Sequence, residues 1–303
     1  MSLLRPMLNA WLRHTEKVRL AHASDADALR RSFEAKARLY FRGPRGSTYA
    51  PVSLAGLPAL CVSAPGISGD DGPLILYLHG GAYIFGSPRT HKAMLAALSE
   101  RCGLATCLPD YRKAPEHPFP AAVRDAVEVY RELASHTPGI ILGGDSAGGG
   151  LCLALLQEIK RLGLRAPMGC FCLSPLTDMG FTRPSVTRNA QADAILPRSM
   201  APMMVEMVMQ GQPPDHPLAS PIHGDFHGAP PVWICVGDTE ILEDDARDMA
   251  ARLRDHGVEV TLRVERDLPH VWPLFHNYLP EARSTLDSIA AWISTLPRAQ
   301  AGS

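Results

Sequence analysis

Little in this chain points toward a highly charged partner or a membrane. Lysine plus arginine number 30 against 31 aspartates and glutamates, a net charge of −1. No strong field is left to attract nucleic acid or an anionic surface. No apolar run approaches the ~18–20 residues that cross a bilayer, so no membrane span is expected. Residues 1–20 scatter Arg5, Arg13, His14, Glu16, Lys17 and Arg19 among apolar ones. They lack the apolar core and small-residue cleavage site of a secretory leader, and a cytoplasmic protein is the expectation. Cysteine is sparse and unpatterned: seven residues, at 61, 102, 107, 152, 170, 172 and 235, with no C-x-x-C. An odd number set in apolar stretches reads as small buried thiols in a reducing compartment. Cys170 and Cys172, on either side of Phe171, are expected to face opposite sides of a sheet and to stay unbonded. Internal repeats, low-complexity tracts and inter-domain linkers are also missing.

What the chain does have is apolar residues, 46% of its 303 positions, enough to bury a large core and inconsistent with disorder. Extended stretches at 59–63, 74–79, 103–108, 139–143, 168–173, 231–236 and 258–264 alternate with helical periodicity at 90–102, 120–135, 149–162, 242–256 and 281–295. Such alternation predicts an α/β architecture with a mostly parallel central sheet and helices on both faces. The last strand, near 258–264, is expected at an edge, where it could pair with a second copy to make a homodimer. Two regions break the rhythm. Residues 1–45 show helical spacing only, and 176–230 carries a methionine-rich helical patch (Met200, Met203, Met204, Met207, Met209) that could be ordinary core or an apolar lid.

The chemistry starts at Gly144-Asp145-Ser146-Ala147-Gly148, which follows an apolar and glycine-rich strand and opens a helix. Small residues there let strand and helix pass closely while the serine stands on a sharp turn, the context of a nucleophile elbow. A serine needs a base to take its proton and an acid to orient that base. His270, in the loop between the strand at 258–264 and the final helix, is the best base; His276 and His256 fit less well. The acid is expected just after the strand at 232–236, where Asp238, Glu240, Asp244 and Asp245 crowd together. The residue types alone do not choose among them. An oxyanion needs preorganised N–H donors. The strand at 74–78 runs into His79-Gly80-Gly81-Ala82, a turn whose amides, with that of Ala147, can supply them. His223-Gly224-Asp225-Phe226-His227 has metal-ligand residue types, but no third and fourth ligands are apparent beside it, so no metal is expected.

Together, His79-Gly80-Gly81-Ala82, Asp110 through Ala121 (DYRKAPEHPFPA) and Gly144 through Gly149 resemble the bacterial hormone-sensitive-lipase family of esterases. Ser174-Pro175-Leu176-Thr177-Asp178 and Leu218-Ala219-Ser220-Pro221 extend the likeness, which runs in order from about 72 to 295. The resemblance implies an α/β-hydrolase fold with a helical cap. It implies a cap at 1–45 and a catalytic domain at 46–303 with a cap insertion at about 179–215. It also implies hydrolysis of carboxylic esters without metal or organic cofactor; short- to medium-chain acyl esters, with lactones a further option, are the expected substrates. Ser146 matches the nucleophile, His270 the base, and Glu240 the acid position of the family's Asp-Pro-Leu-x-Asp pattern, here Glu240-Ile241-Leu242-Glu243-Asp244. Gly80, Gly81, Ala82 and Ala147 match the oxyanion hole, with Ala82 standing where the family usually has a third glycine. Asp110–Ala121 and Asp145 are expected to brace the site. An amidase or deacetylase on the same triad, or a non-catalytic small-molecule receptor, are the competing readings.

Overall fold

The computed structural model describes residues 4–23, 25–68 and 72–297. Eight strands form one sheet: β1 Thr48–Leu54, β2 Leu57–Ser63, β3 Leu74–Leu78, β4 Thr106–Pro109, β5 Ile140–Asp145, β6 Gly169–Leu173, β7 Val232–Gly237 and β8 Val260–Glu265. Their order is β1-β2-β4-β3-β5-β6-β7-β8. The β1–β2 and β2–β4 pairs are antiparallel, and all the others are parallel. The expected sheet is therefore present, with β8 at one end, and with β1 an addition that the sequence reading missed. β1 carries Pro51 and is largely exposed, so it shows neither apolar alternation nor the composition of an interior strand. An edge position tolerates both.

Strand residues alternate between two cores. Ile75, Tyr77, Ile141, Phe171 and Trp233 pack on α4 (Pro88–Cys102) and α10 (Pro280–Thr295). Leu76, Leu78, Leu142, Cys170, Cys172 and Ile234 face α5 (Ala121–His136), α6 (Ala147–Arg161) and α9 (Glu243–Asp255). Cys170 and Cys172 thus share a face, with their sulfurs 3.7 Å apart. This corrects the expectation above, because residues two apart on a strand point the same way. A second correction concerns Cys61 and Cys107. They oppose one another across β2 and β4, 4.4 Å apart at Cα, and are disulfide-bonded. Strand pairing that sequence spacing does not reveal brings them within bridging range. The inference from cysteine usage to a reducing compartment loses its premise. No described helix is long and apolar enough to cross a membrane.

Two further groups of helices lie outside this alternation. At the N-terminal end, α1 (Leu4–Leu12), a π-helical turn (Arg13–Lys17), α2 (Val18–Ala21) and α3 (Ala26–Tyr40) precede the sheet. Between β6 and β7 come the short α7 (Ser185–Arg188) and α8 (Ala201–Met209). Met200, Met204 and Met209 are buried in the core, with Met203 and Met207 packed against it.

Candidate active site

Ser146 is the turn residue between β5 and α6, with φ 54° and ψ −123°, a backbone region non-glycine residues occupy only when the surroundings hold them there. Those surroundings are explicit. The Ser146 amide donates to the Leu173 carbonyl at 2.8 Å, and its own carbonyl accepts from Gly150 and Leu176. A Cβ at Gly148 would lie 2.0 Å from the Leu78 carbonyl, so only glycine lets α6 approach β3 this closely. The sharp turn presents the Ser146 side chain to a cavity of about 460 Å³ that His270 also lines.

His270 sits in the loop after β8, buried, with Nδ1 2.6 Å from Glu240 Oε2. A carboxylate there favours the tautomer with the proton on Nδ1 and a lone pair on Nε2. Burial pushes the imidazole's pKa down, but the charge and hydrogen bond of Glu240 outweigh it, and the net shift is upward. Glu240 follows β7 and is itself fixed: its Oε1 accepts from the Gly237 amide at 2.6 Å and the Ser174 hydroxyl at 2.8 Å. Asp238 does something else. Its Oδ1 accepts from the Asp267 amide at 2.7 Å, tying down the loop that carries His270. Asp244 pairs with Arg188, and Asp245 accepts from the amides of Thr177 and Asp178. His276 binds the Arg42 carbonyl, and His256 accepts from the Phe226 amide. Of the acids and histidines the sequence put forward, Glu240 and His270 are the bonded pair.

On the other side of Ser146, Gly81, with φ 121°, and Ala82, with φ 58°, line the cavity. Among the described residues no acceptor takes their amides, and the Ala147 amide opens α6, where a helix leaves its first N–H groups free. A Cβ on Gly81 would lie 2.2 Å from the Phe85 carbonyl oxygen. Gly80 differs: its amide donates to Asp145 Oδ1 at 2.9 Å, so it shapes the turn and offers no donor. Asp145 also accepts from the Tyr77 hydroxyl and contacts His91 Nε2 at 3.3 Å. Burial alone would raise its pKa, but His91, Tyr77 and Gly80 together hold it low.

The family profile of the alpha/beta hydrolase fold matches residues 75–274. An acetyl-hydrolase of Streptomyces hygroscopicus is 41% identical over 228 residues, 74% of this chain and 76% of its own. An esterase of Acinetobacter venetianus is 30% identical over 294 residues, covering 96% and 94%. The crystal structure of an esterase from the bacterial hormone-sensitive lipase family superposes with a TM-score of 0.91 at 36% identity, covering 98% of this chain and 99% of that one. The chain belongs to that family.

Within this esterase family's frame, three further residues matter: Asp193 and His91, which the sequence reading did not single out, and Ser174, which it quoted only as part of a family motif. Ser174 is fully buried with φ 47°; besides donating to Glu240, its hydroxyl accepts from the Val271 amide at 3.3 Å, so it touches Glu240 itself and the residue after His270. Asp193 accepts from the Ile241 amide at 2.8 Å; burial first, then the nearby Glu240 charge, raise its pKa. His91 belongs to an otherwise ordinary run of α4. No local pattern marks the part played by Asp193 or His91, because the partners that tie them to the site, Ile241 and Asp145, lie 48 and 54 positions away. The N-terminal helices also reach the site. Leu8, Trp11 and Tyr40 line the cavity, and Asn9 Nδ2 donates to the Asp267 carbonyl at 3.0 Å. A last correction concerns the metal-like stretch: a third group, His256, does join Asp225 and His227. Yet Asp225 is paired with Lys160 and His227, and His256 Nδ1 is taken by Phe226. The Asp225 carboxylate and the Nδ1 atom of each histidine thus have partners within the protein.

Proposed function

We propose that this carboxylic ester hydrolase works through Ser146, His270 and Glu240 on short- to medium-chain acyl esters, lactones among them. One observation carries the reading. An elbow serine and an imidazole share one apolar cavity, the imidazole is oriented by a buried carboxylate at 2.6 Å, and unclaimed amides face the same space. In this reading His270 Nε2 takes the Ser146 proton as Oγ attacks the acyl carbonyl. The amides of Gly81, Ala82 and Ala147 bind the oxyanion, and each such donor is worth about 100–1000-fold in rate. Glu240 steadies the imidazolium, which then protonates the departing alcohol. Water repeats the sequence on the acyl-enzyme and frees the acid.

Residues 1–45 and the insertion at 179–215 act as the cap in this scheme. Supporting that role, Arg13 donates to the Ala192 carbonyl at 2.9 Å and Lys17 to that of Ala190 at 2.8 Å, while Trp11, Leu196 and Met200 line the cavity. The cavity volume suits acyl chains of modest length. A structural relative, EstE5, was soaked with p-nitrophenyl butyrate (TM-score 0.90, 36% identity, covering 97% and 98%), and the same ester is the natural probe here. Ser146→Ala should abolish its turnover with folding intact; activity at the wild-type level would end the proposal.

A further inference from the structure

The wall of the cavity is apolar apart from the groups around Ser146, the tyrosine hydroxyls and one charged cluster on the N-terminal helices: Glu16, Arg19 and Lys36. Lys36 belongs to the same stripe of α3 as Phe33 and Tyr40, and all three face the cavity. Glu16 lies in the π-helical turn, which widens the helix by one residue and shifts its phase. Arg13 and Lys17 are thereby turned onto the carbonyls of Ala192 and of Ala190 and Asp193, while Glu16 is left toward the cavity.

Charge in this cluster does not balance. Glu16 Oε2 accepts from Arg19 Nε and Nη2 at 3.3 and 2.9 Å, and Oε1 accepts from Lys36 Nζ. Two cations face one carboxylate. Arg19 Nη1 and two of the Lys36 ammonium protons have no acceptor among the described residues. Asp193, the carboxylate near Lys17, does not line the cavity and is taken up by the amides of Ile195, Leu196 and Ile241. Cations held in an apolar wall are stabilised by a partner that completes their hydrogen bonding. Their side chains are 28% and 31% exposed, so a ligand in the cavity can reach them.

We propose that Arg19 and Lys36 form a carboxylate-recognition site, so that the favoured substrates are esters bearing a free acidic group remote from the scissile carbonyl. Half-esters of dicarboxylic acids and esters of acidic alcohols share that chemistry. The inference rests on the ester-hydrolase reading of Ser146. Two matched pairs test it: 4-nitrophenyl hydrogen adipate against 4-nitrophenyl hexanoate for an acid on the acyl side, and 4-acetoxybenzoate against its methyl ester for the alcohol side. In at least one pair the anionic ester should have the higher kcat/KM. That ratio should fall about tenfold in Lys36→Gln, chiefly through KM, as one charge-assisted hydrogen bond is lost. Arg19→Gln should lower it too. Glu16→Gln, which removes the competing carboxylate, should raise it, a response that a purely structural ion pair would not produce. Ratios at or below one in both pairs, or ratios unmoved by Lys36→Gln and Glu16→Gln, overturn the inference. Neutral esters turned over under those outcomes leave the Ser146 reading standing; no turnover of any ester sinks both.

Discussion

Replacing Glu240 by glutamine separates the two carboxylates that compete for the role of triad acid. Glu240 Oε2 lies 2.6 Å from His270 Nδ1, whereas Asp238 binds only the backbone of the histidine loop. In Glu240→Gln the site loses its negative charge, and a side-chain amide can donate to Nδ1 and impose the wrong tautomer, with Nε2 protonated and unable to take the serine proton. The comparable change in a serine protease triad lowers kcat by about 10⁴-fold, or roughly 5.5 kcal/mol of transition-state stabilisation. A loss of that order is expected here for p-nitrophenyl butyrate, with KM little changed. Asp238→Asn removes charge but can keep an acceptor for the Asp267 amide, so its loss should stay within about tenfold, the worth of one hydrogen bond. The pH profile carries a second signature. His270 must be neutral to act as base, and Glu240 holds its pKa up against burial. Glu240→Gln should therefore move the acidic limb of the residual activity to lower pH. Near-normal kcat in Glu240→Gln, or an equal collapse in Asp238→Asn, would refute this reasoning.

Ser174→Ala should lower kcat about tenfold at constant KM, because it strips one donor from a charged carboxylate; it should also reduce stability by about 1–3 kcal/mol by orphaning the buried Val271 amide. Wild-type kcat together with wild-type urea unfolding would deny Ser174 this positioning role. Asp245 is buried, and desolvation raises its pKa from 3.8 to about 7. The folded state then binds the extra proton between those values, so stability falls as pH rises across that window. Asp245→Asn should flatten the difference in thermal stability between acidic and mildly alkaline buffer; an undiminished difference would show that Asp245 does not supply it.

Much of this site was legible because its chemistry is local in sequence. The elbow serine must sit between an apolar strand and a glycine-rich helix start, and a triad histidine must follow the last strand; both leave short, readable patterns. Contacts between distant segments were not legible. Cys61 and Cys107 became a disulfide because β2 and β4 lie side by side, a fact of strand order. β1 escaped notice because it is an exposed edge containing Pro51. The charges among residues 1–20 argued only against a secretory leader; that Arg13 and Lys17 reach the carbonyls of residues 190–193 from the π-helical turn depends on contacts between distant segments. Choosing Glu240 over Asp238 likewise needed the family pattern, since both follow β7 within four positions.

The most direct test of the central claim is mass-spectrometric mapping of the protein after reaction with a 4-nitrophenyl alkylphosphonate. A single adduct on the peptide containing Ser146, formed in step with loss of esterase activity and absent from Ser146→Ala, is the predicted result. Full inactivation with Ser146 unmodified would contradict it.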